Sequence, residues 1–94
     1  YKDLQVWQKA VSLADMVYQV TRSFPPDERF GLTSQMRRAA VSVASNIAEG
    51  SVRGTREFSQ FLIIARGSVA ELETQAIIAY NRRFISIDTR EALL

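Results

Sequence analysis

Apolar residues recur along this chain at the three- and four-residue spacing of helices, and no segment shows the alternation of a half-buried strand. Leu4, Trp7, Val11, Ala14, Tyr18 and Thr21 form one seam, and Val6, Ala10, Leu13, Val17, Val20 and Phe24 form a second, one step around. Two adjacent seams make a broad apolar face and leave Gln5, Gln8, Ser12, Asp15 and Gln19 for solvent. The pattern predicts a helix over about 3–23. Phe24-Pro25-Pro26 ends it, because a residue that precedes proline is pushed out of helical geometry.

A second helix, over about 32–49, follows Gly31 and turns Leu32, Met36, Ala40, Val43 and Ile47 inward. Its flanks are small (Ala39, Ser42, Ala44, Ser45, Ala48), which lets a neighbouring helix come close, and Gly50 is the expected left-handed cap. Thr55 can cap a third helix, with acidic Glu57 in its first turn. That helix reads through about 55–83, roughly 42 Å at 1.5 Å per residue, with Phe58, Leu62, Ala65, Val69, Leu72, Ala76 and Ala79 as its seam. Ile64 and Ile78 point away from the seam, as does Val41 in the second helix. Gly67, which costs ~1 kcal/mol relative to Ala in mid-helix, is expected to mark the close approach of another helix, of this chain or of a second subunit. Asp88-Thr89-Arg90-Glu91 has the Asp-x-x-Glu pattern of a capping box and opens a fourth helix from about residue 89, expected to be cut short at Leu94. The expected fold is all-α: one domain over residues 1–94, an antiparallel up-down four-helix bundle.

Composition narrows the chemistry. Ninety-four residues make one domain near the lower end of comfortable size, and 47% hydrophobic residues are too many for a disordered tail. Histidine and cysteine are both absent. That removes disulfides, thiol nucleophiles, imidazole bases, zinc sites and the Glu-x-x-His pairs of di-iron bundles. Absent cysteine fits a cytoplasmic protein. The longest apolar run, Phe61-Leu62-Ile63-Ile64-Ala65, stops at Arg66, far short of a membrane span. No catalytic residue, metal site, cofactor or membrane partner is expected.

The net charge is only +2, but ten arginines stand against two lysines. Guanidinium is the better group for bidentate phosphate contacts, for stacking on bases and for interface ion pairs. Antiparallel helices sort the cations into two poles, Lys2, Lys9, Arg53 and Arg56 at one end, Arg22, Arg29, Arg37, Arg82 and Arg83 at the other. The sixteen positions from Arg37 to Arg53 correspond to roughly 24 Å of helix. A single-stranded or hairpin RNA can follow such a surface. A solvated bundle with ordinary helix-end charges fits the same pattern. Trp7, Tyr18 and Phe58 fall on apolar seams and read as core, whereas Tyr1, Phe30 and Phe84 read as exposed rings.

Glu49, beside Gly50, stands where a helix end favours cations. The incoming third helix, Arg53 and Arg56 can answer it, and Asn46, one turn earlier, can bind turn backbone; together these residues read as a structural brace. Glu71 and Glu73, two residues apart, point to different sides of a helix and form no acid–base pair. Glu73 falls near the core seam, where an arginine partner is expected, Arg66 or one from the second helix.

A set of short motifs runs through the chain: Leu4-x-Val6-Trp7, Val17-Tyr18, Phe24-Pro25, Gly31-Leu32-x-x-Gln35-x-Arg37-Arg38-Ala39, Asn46-Ile47-Ala48-Glu49-Gly50-x-x-Arg53, Phe58-x-x-Phe61-Leu62, Ala65-Arg66-Gly67-Ser68 and Glu71-Leu72-Glu73-Thr74-Gln75. Together they resemble the four-helix-bundle proteins called 23S ribosomal RNA intervening-sequence proteins, over nearly the whole chain. The resemblance implies a left-handed antiparallel bundle that assembles as a homo-oligomer, a pentamer. It also implies a gene within an intervening sequence of a bacterial large-subunit rRNA gene, or free-standing in the genome. An accessory protein of diversity-generating retroelements looks similar, and binds nucleic acid and a reverse transcriptase through a basic pentamer surface. No catalytic residues carry over. Arg82-Arg83 departs from the pattern, standing where relatives have a turn-like residue and glycine.

The expected function is that of a non-enzymatic homo-oligomer that binds structured nucleic acid, RNA more than DNA. Arg37, Arg38, Arg53, Arg56, Arg82 and Arg83 are the candidate contacts, and Asn46, Glu49, Gly50 and Glu73 the structural motif. The alternative is a protein adaptor that recruits a polymerase, such as a reverse transcriptase, through Val41, Ile64 and Ile78.

Overall fold

The computed structural model describes all 94 residues, in four α-helices and no strand. Helix α1 spans Gln5–Thr21, α2 Leu32–Arg53, α3 Thr55–Asn81 and α4 Ile87–Leu93, with a short 3-10 turn at Pro26–Glu28. The helices pack in sequence order, α2 against α1 and, most extensively, against α3, while α4 lies across α3 and α1.

Two apolar clusters fill the bundle, one toward each end. At one end the first half of α1, the last half of α2 and the first half of α3 meet through Ala10, Val43, Ile47 and Ala65, with Trp7 and Phe58 packed alongside. At the other, Val17, Phe24, Met36, Ala40, Leu72, Ala76, Ala79 and Leu93 close the core. The inward seam predicted for α2 is the one observed, with Met36, Ala40, Val43 and Ile47 buried. In α3 Leu62 is exposed instead, and Phe61 takes its place against α2.

The largest departure from the sequence reading lies at Gly50. It caps nothing: α2 continues through it to Arg53, and Gly50 is buried in the helix. A Cβ there would stand 2.6 Å from Phe61 Cβ and 3.0 Å from Phe58 Cδ1. Gly50 is therefore a contact point, where α3 rests directly on the α2 backbone. The turn belongs to Gly54, with φ +116° and ψ 170°, a conformation essentially restricted to glycine. It ends α2 and opens α3 by itself, its carbonyl accepting the Phe58 N–H at 2.9 Å, so it and not Thr55 occupies the cap position.

Other helix ends follow local chemistry. The Glu28 carboxylate accepts the Leu32 N–H at 3.1 Å, placing negative charge on the α2 N-terminus. Helix α3 ends in a Schellman motif, with Phe84 N–H bonded to the Ala79 carbonyl and Arg83 N–H to that of Tyr80, both at 2.9 Å. This motif needs a left-handed residue, and Arg83 supplies it at φ +66°. Phe84, expected at the surface, is drawn into the core beside Phe24, ring centroids 5.4 Å apart. Helix α4 begins at Ile87, two residues before the predicted start, because the Ser86 hydroxyl, and not Asp88, caps it by accepting from Thr89 N–H at 3.1 Å. Apart from the backbone of its own helix, nothing lies within 4 Å of where a Gly67 Cβ would stand, so no other helix of this chain approaches it.

Three substitutions check these readings by thermal unfolding. Gly50→Ala is expected to destabilise by about 1–2 kcal/mol despite its better helix propensity, lowering Tm by roughly 4–16 °C. Gly67→Ala, with open space around it, is expected to raise Tm. Arg83→Gly removes a left-handed penalty of about 1 kcal/mol and is expected to raise Tm by roughly 4–8 °C.

Candidate nucleic-acid interface

The outer side of α2 forms the floor of an open groove of about 950 Å3, bordered by α1 and by α3. Arg29 and Phe30 enter it from the loop before α2, Arg37 and Arg38 from α2, and Glu71 and Gln75 from α3. The small residues of α2 produce it: Ala39 and Ser42, with Ser68 of α3, leave room that larger side chains would fill. The floor is fixed by hydrogen bonds. Ser68 Oγ donates to Ser42 Oγ at 2.9 Å, and Asn46 Nδ2 donates to the Ser42 carbonyl at 2.8 Å and to its hydroxyl at 2.9 Å. Asn46 thus braces α2 and α3, through Ser42 one turn back rather than through the turn ahead of it.

The arginines differ in how far they are already engaged. Arg37 lies over the Tyr18 ring, 4.6 Å from its centroid, while its Nε donates to Thr21 Oγ1 at 2.9 Å. Tyr18, expected in the core, is instead a partly exposed shelf for this guanidinium. Arg37 therefore pins α2 to α1. Arg38, next to it in sequence, is exposed and makes no hydrogen bond or ion pair. Arg29 sits 5.2 Å from the Phe30 ring centroid, and Phe30 is 87% exposed.

The remaining predicted contacts lie elsewhere, so the structure brings only Arg37 and Arg38 of the six together in the groove. Arg53 and Arg56 flank the Gly54 turn at the far end. Arg53 answers Glu49 across one helical turn at 3.7 Å and lies 5.4 Å from the Phe61 centroid. Both charges are half exposed, so the pair contributes only about 0.3–0.5 kcal/mol. Glu49 itself sits one turn inside α2, not at its end, which removes the conflict with the helix dipole. Arg56 is exposed and has no acidic partner. Arg82 and Arg83 occupy the Schellman turn at the other end of α3. Glu73, expected to pair with arginine, is exposed and unpaired, since the α3 face it lies on turns outward.

Gln75 enters the sequence reading only as the last residue of the Glu71–Gln75 motif, and its burial is not expected there. Only 8% of it is exposed, and its carbonyl Oε1 accepts no hydrogen bond. Leaving an amide acceptor buried and unpaired costs about 1–3 kcal/mol. Its signal in the sequence was slight, a single polar position beside the seam residues Leu72 and Ala76.

Arg37→Ala is expected to destabilise the fold by about 1–2 kcal/mol, through loss of the Thr21 hydrogen bond and the Tyr18 contact. Arg38→Ala should stay within about 0.5 kcal/mol of the parent. Chemical denaturation of the two variants checks the distinction.

No curated protein matches the chain. A family model described as 23S rRNA-intervening sequence protein matches residues 2–94. With a match over nearly its whole length and four helices packed as a bundle, the chain belongs to the 23S rRNA-intervening sequence protein family.

Proposed function

We propose that the protein is a non-enzymatic, homo-oligomeric bundle that binds structured RNA, and DNA less well, through the arginines of its outer surface. One observation carries this reading. Of ten arginines, only Arg53 and Arg90 have a carboxylate within 4.0 Å, which leaves eight, and three of these, Arg29, Arg37 and Arg38, share the α2 groove with an almost fully exposed phenylalanine. Unpaired guanidinium groups beside an exposed ring match what unpaired nucleic acid offers, phosphates and π-faces. The groups available include no histidine or cysteine, and no cluster of acidic side chains is arranged to hold a metal.

A second reading is favoured by the outer face of α3, where Ile63, Ile64, Ile77 and Ile78 are all exposed. Isoleucines on an outer face fit burial against another copy of the chain. Together with Val41 they equally fit an adaptor that recruits a polymerase, with the charge only steering encounter. No helix is long and apolar enough to cross a membrane, so these residues form no spanning segment.

A salt titration tests the nucleic-acid reading. Log affinity for a hairpin RNA should fall linearly with log salt, by ~0.7–0.9 per phosphate contact, and Arg38→Ala with Arg56→Ala should reduce the slope by about two contacts. Absence of binding at low salt, or a flat titration, removes the proposal. Light scattering at micromolar concentration tests assembly, and a monomer would refute it.

A further inference from the structure

We propose that the α2–α3 groove takes an unstacked nucleobase and selects one that carries an exocyclic amino group, with the Gln75 amide as its reader. The inference rests on the nucleic-acid reading above and goes beyond it, from a charged surface to a base-selective pocket. Three observations converge. The first is the buried Gln75 carbonyl, an acceptor without a donor in the groove wall. The second is the division of the groove by charge. Arg29, Arg37 and Arg38 come from the loop and α2, while α3 contributes the acceptors Glu71 and Gln75. The third is Phe30, an 87% exposed ring at the loop edge of the same groove, backed by the Arg29 guanidinium.

This division suits a nucleotide lying across the groove. Its phosphate belongs with the guanidinium groups, and its base edge faces α3. There a carbonyl and a carboxylate want a donor, and the amino groups of adenine, cytosine and guanine supply one. Uracil presents a carbonyl oxygen at the equivalent position, which pairs only with the opposite turn of the amide and then faces the acceptor-only Glu71 carboxylate with like charge. The carboxamide terminus rotates between two broad, roughly equivalent wells, so the acceptor can turn from the wall toward an entering base. Its NH2 then meets the neighbouring ring nitrogen, the paired geometry by which Asn and Gln recognise adenine. The groove volume, about 950 Å3, lies at the upper end of the range of about 300–1,000 Å3 usual for small-ligand sites.

The test uses fluorescence anisotropy of the full chain with labelled single-stranded oligo-A, oligo-C and oligo-U RNA, and with oligo-dA to separate RNA from DNA as the source of the base. Oligo-A and oligo-C are expected to bind at least about five-fold more tightly than oligo-U at equal salt. Gln75→Met, close in volume, should bring all three together without changing the salt slope. Phe30→Ala, on an exposed ring, should weaken every oligomer by about five-fold or more. Equal binding of oligo-A, oligo-C and oligo-U by the parent protein overturns the pocket while leaving the arginine surface standing, and this comparison is independent of whether Gln75→Met folds. A preference that survives in a folded Gln75→Met variant overturns the role of Gln75. No binding of any oligomer at low salt overturns both proposals.

Discussion

The contact between α2 and α3 at Gly50 is the constraint on which the remainder of the molecule depends. With no side chain in the way, Phe58 and Phe61 come down onto the α2 backbone, and the small residues further along keep the two helices close. The one-residue connection at Gly54 is feasible only because the helices are already this near and because glycine can adopt that backbone conformation. Close approach leaves a shallow trough on the outer side of the pair, since short side chains fill little of the space above them. Packing and groove thus have one cause.

Much of the architecture was legible in the sequence because its signals were long. A seam of seven positions along α3, or five along α2, is reinforced every turn, and a single wrong residue such as Leu62 does not disturb it. Helix ends rest on one or two residues, so their sequence signal is weak and tertiary contacts move them. Gly50 looks like a cap in sequence because glycine commonly ends helices, and nothing local shows that two phenylalanines eight and eleven residues later will occupy the missing Cβ. Ser86 and Asp88 both lie within reach of the same helix start, and only geometry decides for Ser86.

The groove was far less legible. The sequence counts arginines but does not show which are spent. Arg37 and Arg38 are adjacent letters that differ by about 100° around the helix, enough to place one over Tyr18 and the other in solvent. Tyr18 lies on an apolar seam, which predicts burial, yet a guanidinium, not a second helix, covers it. The role of Gln75 is not legible in the sequence because one polar residue near a seam usually finds a partner; that its carbonyl lacks one is a fact of tertiary structure alone.

A single glycine between two long helices also settles where the molecule can bend. With no slack at Gly54, α2 and α3 must travel as one rigid hairpin, and the backbones of α1 and α3 nowhere approach closely. Any breathing of the bundle falls to α1, held to the hairpin partly by the Arg37 staple, and to the short α4. Slow amide exchange should concentrate in the hairpin, making it the platform against which the outer helices open and close.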